Sequence, residues 1–223
     1  MAQELNTFTN NKKYYQVLSS TGRFHRDALD GEQFTLREVE KSDGSKITKK
    51  EVSFNQLQGK ITSVYTVDTP YGEQLKVVLD DEMVVSMNMN QPFARHFMEK
   101  IYNVDLKEEV VLAPYSFEEK ERKISGLNIY QKGNKLENYY WDKDKKQGIN
   151  GVPSYKEEYN TNKAKQKIFF IERDEFLKAE LNKFIEANGL NKLRDNVVED
   201  NIEYTEEEID IDDIPFKNNK TTY

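Results

Sequence analysis

Twelve positions in this chain supply the two side-chain types that a strand of phosphates and flat bases would engage. Lys60, Lys76, Arg122, Lys123, Lys132 and Lys135 offer cations, and Tyr71, Tyr115, Tyr130, Tyr139, Tyr140 and Trp141 offer rings. Cations that follow a phosphate backbone release its counterions, while a ring stacks on any base without reading it, at roughly 1–3 kcal/mol per base. The chain holds 13 Tyr, 12 Phe and 1 Trp within a hydrophobic fraction of only 36%. Tyrosine has a π face and a polar edge, so it suits a half-exposed place on a sheet. Competing roles are plain: Phe93, Phe97, Phe169, Phe184 and Tyr65 sit in apolar periods and read as core. Tyr115 and Tyr130 divide evenly between core and groove. Tyr139, Tyr140 and Trp141 cannot all point one way on a strand.

Catalytic chemistry has little to work with. His25 and His96 are the only histidines, and His96 falls on the polar side of a helical pattern, where solvation is the usual fate. There is no glycine-rich phosphate loop, nucleophile elbow or cysteine nucleophile. Asp80-Asp81-Glu82 and Glu118-Glu119 have the composition of magnesium ligands, but adjacent acids at strand ends are more often solvated turns. The expectation is therefore a non-enzyme with no catalytic residue, cofactor or metal. Zero cysteines exclude disulfides and thiolate sites and agree with a cytoplasmic setting. No apolar run approaches the ~18 residues of a membrane span, and the N-terminus carries no signal-peptide pattern.

Charge divides the chain in two. Nine of the 40 acids fall within residues 199–213, where there is no base. Lys217 and Lys220 lie beyond that run, which leaves 31 acids and 31 bases before residue 199. The net charge of −7 thus belongs to the C-terminal piece, and a neutral body can still carry a basic stripe. Residues 206–216 read Glu-Glu-Glu-Ile-Asp-Ile-Asp-Asp-Ile-Pro-Phe. Like charges repel and stay solvated, so the run reads as a disordered acidic tail ending in one compact apolar hook. Asp210, Asp212, Asp213, Ile214, Pro215 and Phe216 are the residues expected to engage a basic pocket on a partner.

The elements that would position the cations and rings are mostly strands. Leu57–Val67 alternates, Thr69-Pro70-Tyr71-Gly72 is a turn, and Leu75–Leu79 and Met83–Met89 follow as strands around the acidic turn at 80–82. Phe93, Ala94, Phe97, Met98, Ile101 and Val104 share one helical face, with Arg95, His96, Glu99 and Lys100 turned away. Val110–Phe117 and Ile124–Tyr130 resume strands, and Gly133-Asn134 signals a hairpin leading to Leu136–Trp141. Three strands, a helix and two strands is the order of an OB-fold, a five-stranded Greek-key barrel with a helix plugging one end. The chain then divides into an N-terminal β-hairpin extension (1–54), the OB barrel (55–141), a linker and C-terminal helix (142–198) and the tail (199–223). In the extension, Phe34–Val39 and Ile47–Phe54 flank the turn Ser42-Asp43-Gly44-Ser45, and Tyr14–Leu18 adds a strand to that hairpin. Residues 142–166 have no steady period. Asp174 has the type of an N-cap for a helix through Ala187, ended by Asn188-Gly189, whose face of Leu177, Leu181, Phe184 and Ile185 suits packing on the barrel or a homodimer contact.

Asp212 to Phe216 closely resemble the acidic tail tip of bacterial and phage single-stranded-DNA-binding proteins, in which a run of Asp precedes Ile-Pro-Phe. Residues 12–141 are similar to the compact phage members of that family, with an N-terminal hairpin before an OB barrel. The resemblance implies a protein that coats single-stranded DNA without strong sequence preference during phage replication, recombination and repair, in the host cytoplasm. It also implies that the tail recruits replication or recombination proteins. Two readings of the residues remain beside it: an OB-fold replisome adaptor that binds protein, and an RNA-binding OB module.

Overall fold

Described in the computed structural model are residues 12–40, 44–120 and 122–191. The chain is mainly β. Its first third forms β1 (Lys13–Leu18), β2 (Arg23–Asp27), β3 (Thr35–Glu40) and β4 (Lys46–Phe54). The alternating stretch that follows makes β5 (Leu57–Gly59), β6 (Ile61–Thr69), β7 (Gly72–Leu79) and β8 (Met83–Asn88). A short helix, α1 (Pro92–Met98), opens on a proline whose missing N–H costs nothing in the first turn. After it come β9 (Val110–Glu119), β10 (Arg122–Gln131), β11 (Asn134–Lys135), β12 (Trp141–Asp142) and β13 (Gln147–Gly148), then the long helix α2 (Lys163–Asn188).

These strands build a mixed seven-stranded sheet in the order β3-β4-β2-β1-β8-β7-β6 and a four-stranded sheet in the order β11-β10-β9-β5. The chain passes from one sheet to the other at Lys60, between β5 and β6. Inward faces of both sheets meet over Phe24, Leu75, Leu79, Leu112 and Leu127, and Phe93 and Phe97 of α1 fill one end of that core. Burial of such side chains is worth roughly 1.5–3 kcal/mol each, so the alternation itself selects this pairing.

The expected closed five-stranded barrel is not what the strands form, and two contacts explain why. The outer edge of β8 is occupied by β1 in parallel, with Tyr14 opposite Val84 and Gln16 opposite Ser86. The edge of β10 near Leu127 is covered by α1: Leu127 N–H donates to His96 Nδ1 (3.2 Å), and Lys100 Nζ donates to the Leu127 carbonyl (3.1 Å). Side chains thereby satisfy an edge that would otherwise seek another strand. Strands on both sides of residue 54 hydrogen-bond within one sheet. The neighbours of β1 are β2 and β8 rather than the β3–β4 hairpin.

Other expectations are corrected locally. Helix α2 begins eleven residues before Asp174, at Lys163, where Asn162 accepts the Lys165 N–H (3.1 Å) as its cap. Asp174 lies mid-helix. Gly189 ends the helix in the left-handed region (φ 61°), as the Asn-Gly pair predicts. The next residue is sewn to β6, since the Leu190 carbonyl accepts both Val64 N–H (2.9 Å) and Ser63 Oγ (2.6 Å). The hairpin after β10 turns on Lys132-Gly133 (φ 51° and 78°) rather than on Gly133-Asn134. Leu136–Trp141 is not a strand until its last residue. Ser42 and Asp43 of the expected Asp-Gly turn, and the tail residues Asp210, Asp212, Asp213, Ile214, Pro215 and Phe216, lie outside the described residues. Among those that are described, no helix is long and apolar enough to cross a membrane.

Candidate nucleic-acid interface

Directly opposed residues of antiparallel strands share a face, so the register of β9 and β10 sorts the candidates. One face carries Phe117 opposite Ile124, Tyr115 opposite Gly126, Ala113 opposite Asn128 and Val111 opposite Tyr130. Lys135 of β11 stands beside Tyr130, and Gln58 of β5 beside Val111. The opposite parity, with Leu112, Leu127 and Ile129, fills the core. The outward face therefore runs ~20 Å from Phe117 to Val111 at ~3.3 Å per residue. It is half open or open except at Gly126, which is buried against the His96 ring.

Its upper end is aromatic. Tyr115 and Phe117 lie nearly parallel, with ring centroids 5.9 Å apart and an interplanar angle of 28°. Phe117 is 51% exposed. Gly126 makes this arrangement achievable, because a Cβ there would strike the Tyr115 hydroxyl and the His96 ring. Burial, then the nearby Glu99 charge, raises the Tyr115 pKa. Arg122 sits at this end opposite Glu119, whereas Lys123 opposes Glu118 on the other parity.

The lower end opens into a depression of about 810 Å³, lined among others by Lys60, Lys107, Tyr130 and Lys132 with Asp80, Glu108 and Glu109. Lys132 projects from the turn and pairs with Glu108 at 3.1 Å, an exposed contact of small energetic weight. Gln131 pins the loop behind it, accepting Asp105 N–H (2.9 Å) and donating to the Asp105 carbonyl (2.8 Å). Asp80 is engaged too, since its Oδ1 accepts Lys60 N–H (2.9 Å). The structure thus gathers Tyr115, Arg122, Tyr130, Lys135, Lys60 and Lys132 along one face and its lower mouth.

The remaining candidates lie elsewhere. Lys76 is buried (6% exposed) on the outward side of the seven-stranded sheet, donating to Gln74 Oε1 and Ser86 Oγ at 2.8 Å each. Burial brings its pKa down to about 8. Tyr139 stacks on Tyr102 (5.0 Å, 19°), and Tyr140 is buried among Tyr102, Tyr139 and Phe176, so this pair packs the body. Only Trp141 of that run is exposed, on the small β12–β13 ribbon. Tyr71 stands in the turn between β6 and β7 of the seven-stranded sheet.

Two groups escaped sequence reading. Phe117 looked like the end of a strand, and its exposure follows only from the register. The polar side of α1 is not solvated: Arg95 makes a two-pronged pair with Asp174 of α2 (2.9 and 2.7 Å), Lys100 is buried, and His96 accepts the β10 edge bond. Burial, followed by the charges of Lys100, Arg95, Arg173 and Lys135, lowers the His96 pKa to about 3. The imidazole is neutral, with Nδ1 as acceptor and the proton on Nε2. A periodic pattern that marks one apolar face cannot reveal that a distant helix covers the other. No protein-family model matches the chain, and comparison with curated proteins and with solved structures found no match.

Proposed function

We propose that this chain binds single-stranded DNA without strong sequence preference on the outward face of β9 and β10. The observation that carries the reading is the composition of that one face. A stacked Tyr115–Phe117 pair with Arg122 occupies its upper end, and Tyr130 with Lys135, Lys132 and Lys60 occupies its lower end. Rings accept any base, and the cations neutralise phosphates along the same line. Asn128 and Ala113 between them leave the middle of the track low.

An OB-type unit is the fold reading that goes with it. It is supported by the order β5/β6, β7, β8, α1, β9, β10, and by a first strand that pairs with β7 on one side of Lys60 and with β9 on the other. The acidic segment with Asp210, Asp212, Asp213 and Ile214-Pro215-Phe216 recruits proteins of replication, recombination or repair, in the cytoplasm of a phage-infected host. The test is titration of the full chain with a fluorescent oligo-dT across salt, competed by duplex DNA and by matched RNA. Salt-sensitive binding that prefers single-stranded DNA is expected. Absence of binding at low salt would overturn the reading, and equal binding of RNA would reassign the nucleic acid.

A further inference from the structure

We propose that the guanidinium of Arg173, on α2, is a phosphodiester-binding position for the strand that stacks on Tyr115 and Phe117; this rests on the single-stranded-DNA reading above. Arg173 rests against two rings, 5.8 Å from the Phe169 centroid and 5.1 Å from that of Phe170. Its side chain is only 16% exposed. Its Nε is sealed from solvent without a hydrogen-bond partner among the described residues, so the remaining exposure belongs to the rest of the side chain. The nearest acid is Asp174, whose Oδ1 lies 3.8 Å from that nitrogen, too far for a hydrogen bond. Both Asp174 oxygens are already taken by Arg95.

A guanidinium so placed shares its counter-charge, because Asp174 attracts it while being held by Arg95. Glu99 acts on it electrostatically, but burial raises the Glu99 pKa and weakens its charged form. Asp174 joins Arg173 to Arg95, the residue before His96 on α1, and the His96 ring lies 6.3 Å from that of Tyr115. The charged cluster between the two helices therefore borders the aromatic end of the sheet face. A fork of donors backed by rings fits a phosphate better than a flexible ammonium would. An anion arriving at the exposed part of the guanidinium adds the negative charge that the shared Asp174 supplies only in part, and the adjoining bases find the Tyr115–Phe117 stack.

Arg173→Met and Arg173→Lys in the full chain test this with two probes, oligo-dT over a salt series and inorganic phosphate in thermal melts. Arg173→Met is expected to weaken oligo-dT about tenfold at low salt and to lower the log–log salt slope by about 0.7. Arg173→Lys keeps the slope and loses part of the affinity. Phosphate raises the melting temperature of every protein somewhat by exclusion, so the readout is a larger rise for the parent chain than for Arg173→Met. Without phosphate, Arg173→Met melts no lower than the parent, because a charge that only shares its counter-charge has been removed. An unchanged slope together with equal phosphate shifts overturns the site and leaves the DNA reading standing. If the parent binds no oligo-dT yet phosphate stabilises it through Arg173, the DNA reading fails and the anion site stands.

Discussion

The outward faces of the two sheets are built from the same residue types and behave oppositely. On β9 and β10, Tyr115, Phe117, Tyr130 and Lys135 are half or fully open. On the seven-stranded sheet, Tyr65, Lys76, Gln74, Ser86, His25 and Glu51 are each under 10% exposed and bonded among themselves or to neighbours. A lysine on the first face can exchange counterions with a ligand. On the second it is a structural donor whose ammonium is partly destabilised by burial. Whether a face is covered, rather than what it is made of, decides which job a Lys or Tyr performs.

Six substitutions would break or sharpen that contrast. The largest effect is expected where the sheets touch. Gly22 has φ 61°, and a Cβ there would enter the backbone of Tyr115 and Ser116 on β9. Backbone cannot yield as a side chain can, so Gly22→Ala should cost more than about 3 kcal/mol or prevent folding. Gly31→Ala, with φ 83° but nothing within 4 Å, should cost only about 1 kcal/mol in the same urea titration.

On the closed face, Glu51→Gln should cost about 3 kcal/mol, because Glu51 is buried and takes both prongs of Arg37 at 2.8 Å. Burial pushes the Glu51 pKa up, but hydrogen bonds from His25 and Arg37 outweigh it and bring it from 4.5 to about 2. The unfolded chain therefore takes up a proton that the folded one refuses between those values, and stability falls as pH drops from about 4.5 toward 2. His96, at about 3 against 6.5, has the same sign over a higher window, so its contribution is lost between pH 6.5 and 3. Urea melts from pH 7 to 3 should show the His96 slope in both proteins, and the acid end should be flatter in Glu51→Gln.

On the open face, Phe117→Ala should leave stability within about 0.5 kcal/mol while weakening oligo-dT roughly tenfold through loss of one stacking ring. A loss of stability without loss of affinity would place Phe117 in the fold instead. Lys76→Met is the smallest and most discriminating change. It removes a buried ammonium, so the salt slope of DNA binding should not move, whereas Lys135→Met should lower it by about 0.7.

Much of the β architecture is legible in the chain because it is local. The alternation from Leu57 to Tyr130, the apolar face of α1 and the Asn188-Gly189 stop each depend on neighbours within a few residues. What stays hidden depends on partners far away in sequence. Strand β2 reads Arg-Phe-His-Arg-Asp, with no apolar alternation, and becomes a strand because β1 and β4 flank it. The first turns of α2 lack a continuous apolar stripe, so periodicity begins near Leu177 while the helix begins at Lys163. The site divides the same way. Tyr115, Tyr130 and the Lys132 turn are readable as strand and hairpin chemistry, but Phe117 needs the register, and Arg173 needs the docking of α2 against α1.

The stitch between Leu190 and β6 also has a mechanical meaning. The described chain passes from the end of α2 into a carbonyl gripped by Val64 and Ser63 on a sheet strand. Force applied to the chain just beyond Leu190 would strain that pair of hydrogen bonds first and pass into the seven-stranded sheet. Helix α2, with Arg173 on it, would be spared until the stitch gave way.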